Sequence, residues 1–222
     1  IMAENSYSKE AIDWLASLGF EYSKHPALGN LLIANAKLTA IIEQAVLKKD
    51  RTILFRSILP TFERCILTTA DLAAFAEIAR VAGEATNQVF MNLMSLIKFL
   101  NHDTIQDLAV LAREAGPNYV VQIFCYGLPD INSILNARNI LQAGELFLQL
   151  ARKAGKDAGK IFFTLLPYGK NFIQSVNDIL PIGDALIAAW KQEIRQKELD
   201  GFIRGFLAAK SVSSSNLLRR AA

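Results

Sequence analysis

Four basic residues crowd one short stretch of the chain: Arg152, Lys153, Lys156 and Lys160. With Gly155 and Gly159 they read Gly155-Lys156-Asp157-Ala158-Gly159-Lys160-Ile161, which has the outline of a phosphate loop. Such a loop needs four residues between its glycines, a hydroxyl after its lysine and a strand before it. Here three residues separate the glycines, Ile161 stands in the hydroxyl's place, and the preceding pattern is helical. What remains is positive charge around an expected helix start, where backbone N–H groups are unpaired. The four residues are therefore a candidate anion or partner contact.

No other group reads as chemistry. His25 precedes Pro26 at a turn, and His102 sits in an Asn-His-Asp linker, so both read as surface or capping histidines. Cys65 and Cys125 lie in apolar, helix-like stretches and read as buried free thiols rather than a disulfide. Two histidines and two cysteines so placed do not make a metal site, and no hydrolase or zinc-peptidase pattern occurs. Acidic residues are scattered: Asp103 and Asp107, like Glu193 with Lys197, suit capping and i,i+4 pairing better than paired acid–base work. The sequence thus assigns no catalytic residue, no cofactor and no metal.

The elements around the basic stretch repeat. Ile78-Ala79-Arg80-Val81-Ala82-Gly83 is echoed by Leu111-Ala112-Arg113-Glu114-Ala115-Gly116 and by Leu150-Ala151-Arg152-Lys153-Ala154-Gly155. Five residues before each arginine stands a large apolar residue: Phe75, Leu108, Phe147. After each glycine comes an apolar pair: Val89-Phe90, Ile123-Phe124, Ile161-Phe162. The pattern has a physical reading. Glycine stops a helix at no Cβ cost, arginine faces the last carbonyls, alanines admit a close neighbour, and the later pair fills the space between.

Helical periodicity runs from end to end. The expected elements are a helix closed by Gly19, one opened by Pro26, and one from Ile53 to Leu67 broken at Pro60. Next come Asp71–Ala82 paired with Ala85–Leu100, and Thr104–Ala115 paired with Asn118–Tyr126. Thr68 and Thr104, each with an aspartate three residues on, resemble capping boxes. Asp130–Ala154 reads as mostly helical with a soft spot at Gly144, followed by Asp157–Leu166 and Asn171–Leu180. Asp184–Lys210 closes the set, weakened at Gly201 and Gly205. Residues 211–222, with three serines, read as a flexible tail. The expected fold class is all-α: an array of antiparallel helical hairpins, α-solenoid-like or an irregular helical bundle, of about 10–12 helices. It forms one domain over 1–210, with N-terminal helices over 6–67, a repeat-like core over about 70–167 and closing helices over 170–210.

The spacings of 33 and 39 residues between the repeated arginines resemble an α-solenoid of the general HEAT/armadillo kind. That resemblance covers about Asp71 to Pro167. The Trp, Leu-Gly and Tyr pattern of tetratricopeptide repeats and the Thr-Pro-Leu-His of ankyrin repeats are absent.

Charge and composition bound the function. The chain is 52% hydrophobic and 20% charged, which suits a packed core. Its net charge of +3 hides an imbalance: residues 1–137 carry 11 basic against 14 acidic side chains, and 138–222 carry 13 against 7. No apolar run reaches the roughly 20 residues of a membrane span. With no sequon and no signal peptide, a cytoplasmic, reducing setting is expected, and Ile1-Met2 suggests a fragment of a longer chain or a tag remnant. The leading expectation is a non-enzymatic protein–protein interaction module, a targeting or regulatory region of a larger protein. The alternatives are peripheral binding to an anionic membrane through the basic C-terminal half, and nucleic-acid binding by helical repeats.

Overall fold

The computed structural model describes residues 7–221, without the side chains of 213–218. The expectation drawn from Ile1-Met2, residue 6 of the N-terminal helices and Ala222 of the tail lie outside the described residues. The fold is all-α: 83% is helix, in about eleven helices beside single-turn pieces, and no strand occurs among the described residues. The helices are α1 Lys9–Leu18, α2 Pro26–Ala34, α3 Ala36–Ala45, α4 Lys48–Ile53, α5 Thr69–Ala82, α6 Thr86–Met94 and α7 His102–Val121. They continue with the single-turn piece α8 Leu128–Asp130, then α9 Ile140–Ala154, α10 Ala158–Thr164, the single-turn piece α11 Leu166–Gly169, α12 Ile179–Lys191 and α13 Leu199–Ala221. Where the sequence suggests one domain over 1–210, packing divides the chain into two compact units, Ile1–Val121 and Gln122–Ala222.

The first unit holds α1 to α7. Gly19, at φ 102°, closes α1 as expected: its N–H donates to the Ala16 carbonyl and that of Phe20 to Leu15. Pro26 opens α2 from the first position. The expected kink at Pro60 takes a specific form. Leu54–Ile58 widens into a π turn before Leu59–Phe62 tightens into 3-10 geometry, which is how a helix absorbs a missing N–H and a ring clash. Helix α5 packs along α3 and α7. Beneath it Phe62, Phe75 and Phe90 form a triangle of rings with centroids 5.1 to 6.2 Å apart.

The second unit repeats the scheme. A π turn, Gln122–Gly127, precedes Pro129 as the earlier one precedes Pro60. Phe147 and Phe162 meet edge to face at 5.9 Å, the counterparts of Phe75 and Phe90 at 5.4 Å. Helix α12 packs on α9, and α13 on α11 and α12. Gly183 lets α9 come close: a Cβ there would lie 2.4 Å from Leu150 Cδ1.

The three repeat glycines stand at bends, as their spacing implies. Their geometry is more demanding than an ordinary left-handed cap. Gly83 (φ 55°, ψ −126°), Gly116 (φ 66°, ψ −179°) and Gly155 (φ 58°, ψ −127°) occupy the mirror image of extended backbone. Only glycine enters that region freely.

Several boundaries differ from the sequence reading, each for a local reason. Helix α7 begins at His102, not Thr104: Asn101 caps it, accepting from the Thr104 N–H at 2.9 Å while Thr104 Oγ1 accepts from Asn101 N–H at 2.7 Å. The expected continuous helix over Asp130–Ala154 is broken. Asn136 and Asn139 exchange the same pair of bonds, 3.0 and 2.8 Å, and divert the backbone until Ile140. Gly144 lies buried inside unbroken α9, and Gly201 and Gly205 inside unbroken α13. The stretch Asp184–Lys210 instead breaks at Glu193 (φ 54°), the single non-glycine residue at positive φ among those described. There the Glu193 N–H donates to the Trp190 carbonyl and that of Ile194 to Ala189. This is the bonding pattern of Gly19, carried by a side-chain-bearing residue. The backbone of 211–221 continues α13 as helix where the sequence suggests a frayed tail.

Candidate functional site

The basic stretch begins at the end of α9 and is divided by the Gly155 bend. Arg152 and Lys153 occupy the last turn of α9, where exposed carbonyls favour cations. Lys153 is engaged: its Nζ lies 3.1 Å from Asp184 Oδ1 on α12, and Lys210 approaches Asp184 Oδ2 at 3.4 Å from α13. Arg152 is exposed and also has a partner. Lys156, in the 3-10 turn Gly155–Asp157, and Lys160, on α10, are exposed and make no ion pair among the described residues. The four side chains therefore do not converge on one anion. Helix α10 has only seven residues and carries Asp157 at its N-cap, where an external anion would sit.

What the structure adds beside Lys160 is aromatic. Phe163, one turn further along α10, is 66% exposed. Tyr126 meets it edge to face, with ring centroids 5.7 Å apart. The same place in the first copy of the repeat, directly after the buried Phe90, is held by Met91, which is 55% exposed. Both follow a ring that is fully buried, Phe90 or Phe162, so the interior fixes the direction in which they point. The sequence carried this signal. Val-Phe-Met and Ile-Phe-Phe each hold one apolar residue too many for a helix face two residues wide.

A second group assembles in the first unit. Asp71, 2% exposed, completes a capping box at the start of α5: its carboxylate accepts from the Leu67 and Thr68 N–H groups at 3.1 Å, and Thr68 Oγ1 accepts from the Asp71 N–H at 3.2 Å. His102, at the start of α7, brings Nδ1 to 2.6 Å from Asp71 Oδ1. Burial pushes the Asp71 carboxyl up, and the hydrogen bonds from His102, Leu67 and Thr68 outweigh it and hold it below the usual range. Cys65 lies near enough to feel that charge. A carboxylate, an imidazole and a thiol would suit a cysteine nucleophile, yet burial and the Asp71 charge both raise the Cys65 thiol. Its sulfur approaches the Leu100 carbonyl at 4.0 Å. A nucleophilic thiol needs the opposite environment. The group reads as a staple between helix starts. His25, before α2, likewise meets a carboxylate, 2.7 Å from Glu63 Oε2 just past the 3-10 turn Leu59–Phe62. Cys125 is buried, and neither cysteine is in a disulfide.

A third cluster links successive copies of the repeat. Glu77 on α5 accepts from Arg80 at 2.6 Å and from Arg113 on α7 at 3.0 Å. The Arg80 guanidinium, with help from Arg113 and against the opposing effect of burial, brings the Glu77 carboxyl down to about 2. A carboxyl depressed from 4.5 stabilises the fold above about pH 4.5 and loses that contribution as pH falls through its folded value. Both arginines are more than half exposed, so solvent screening leaves about 1 kcal/mol. Replacing Glu77 with Gln is expected to lower unfolding free energy by about that much at pH 7 and by only a small part of it near pH 2, where the carboxyl is losing its charge. Urea titrations at the two pH values measure it.

Among the described residues no three of His, Cys, Asp and Glu are grouped to hold a metal ion, and no helix is long and apolar enough to cross a membrane. A cleft of about 480 Å³ in the second unit is lined by Thr164, Leu165, Trp190, Lys191 and Glu193, without a histidine or cysteine. No protein-family model, curated protein or solved structure matches the chain.

Proposed function

We propose that the chain is a non-enzymatic protein–protein interaction module. One observation carries this reading: a large apolar side chain, Met91 in one unit and Phe163 in the other, is turned outward at the same place in the first and third copies of the repeat, while Cys125 in the second copy is buried. A lone exposed apolar residue needs no explanation, but here each unit presents one at the equivalent place, so each unit carries an anchor of its own. Apolar anchors ringed by polar neighbours are how protein interfaces concentrate their affinity. The interior of each unit supports its anchor from below, because each anchor follows a locked ring. A role as a targeting or regulatory region in a cytoplasmic setting fits this reading.

The test is capture of cell proteins on immobilised chain, compared with Met91→Glu and Phe163→Glu variants. Expected is a set of proteins whose recovery falls about tenfold with one variant or the other, as loss of an anchor dictates. Recovery unchanged by both would remove the proposal, as would recovery of nucleic acid or lipid alone.

A further inference from the structure

Building on that reading, we infer that the surface formed by Lys160 and Phe163 on α10, with Lys156 in the 3-10 turn before it and Tyr126 beside Phe163, docks an acidic protein segment: an apolar anchor flanked by Asp or Glu. Lys160 and Phe163 are i and i+3 on α10 and so share a face, and Lys156 lies one turn earlier. Phe163 is 66% exposed and Tyr126 buttresses its ring, so the anchor point is rigid before anything arrives. Lys153 is spent on Asp184, whereas Lys156 and Lys160 make no ion pair among the described residues. Asp157, at the N-cap position of α10 without a side-chain capping bond, makes no ion pair with either lysine among the described residues and lines the cleft beside Trp190.

Charge complementarity chooses the occupant. An apolar contact rimmed by two open ammonium groups matches an apolar side chain rimmed by carboxylates. A membrane is a poorer match. Two lysines supply about 1 kcal/mol each toward an anionic surface, and one phenylalanine adds too little for stable attachment. A single nucleic-acid strand is poorer still, because base stacking needs an open ring and the edge-to-face contact with Tyr126 already uses part of this one.

The decisive experiment is selection of random displayed peptides on the whole chain, followed by affinity measurement on the winners. Expected are peptides in which Asp or Glu flanks a large apolar residue, bound about tenfold more weakly by Phe163→Glu and by the Lys156→Glu, Lys160→Glu double variant. Because Phe163 is exposed, Phe163→Ser serves as a milder second variant, and circular dichroism confirms that each variant folds. Winners without acidic enrichment, or indifferent to all these changes, overturn the inference. Tighter, Phe163-dependent binding to phosphatidylserine vesicles or to oligothymidylate than to the peptides also overturns it. Winners that depend on Met91 but not on Phe163 sink this face while leaving the broader reading as a protein-binding module intact.

Discussion

Replacing Phe75 with alanine is expected to lower the unfolding free energy by about 3–5 kcal/mol, the range for deleting a buried ring that its surroundings cannot fully fill. Phe75 is 1% exposed and contacts both Phe62 and Phe90, themselves fully buried, so the hole would open between rings. Leucine is expected to do much better at this place, losing about 1–2 kcal/mol, because Leu108 fills the corresponding place in the next copy of the repeat at equal burial. The chain offers its own reporters. Trp14 belongs to the first unit and Trp190 to the second, so urea titration of single-tryptophan variants follows the units separately. The Trp14 transition should move to lower urea by the larger amount for alanine. Equal shifts for alanine and leucine would mean that the copies do not share an interior.

The second large effect comes from backbone alone. Alanine at Gly83 or Gly155 is expected to cost about 1–3 kcal/mol each, although a Cβ at either place would find no atom within 4 Å. The whole penalty is conformational. With ψ near −126°, asparagine, which tolerates the ordinary left-handed helical region, gains nothing over alanine here. At Gly19, with φ 102° and ψ −1°, the objection is different: a Cβ would press to 2.9 Å from the Thr52 carbonyl oxygen. Thermal denaturation of Gly83→Ala and Gly83→Asn would test this. Asparagine restoring most of what alanine loses would show that the bend is a conventional left-handed cap.

These two expectations show what the sequence could reveal and what it could not. The repeated Ala-Arg-x-Ala-Gly pattern located the bends because glycine has a steric reason to be there. The paired Phe positions were legible because their spacing is that of a helix face, and they are buried as the pattern requires. Helix starts were less legible. Asn101 and Asn136 act through side-chain bonds to their own backbone, and asparagine is equally at home in loops. The break at Glu193 was hidden, because glutamate ordinarily favours helix and nothing local predicts positive φ. In the basic stretch, four charges adjacent in sequence said nothing about which would be drawn away. That depended on Asp184, thirty-one residues beyond Lys153. The aromatic half of the candidate face lay in plain view as Ile161-Phe162-Phe163, but only burial shows which of the two rings turns outward.

One small contact has a wider consequence for how the first unit comes apart. Asp71 is shared: one oxygen closes the cap of its own helix and the other holds His102, which opens the next hairpin. Fraying at the start of α5 would strand a buried charge and release its neighbour together, so the two hairpins have a reason to open as one cooperative step rather than in sequence.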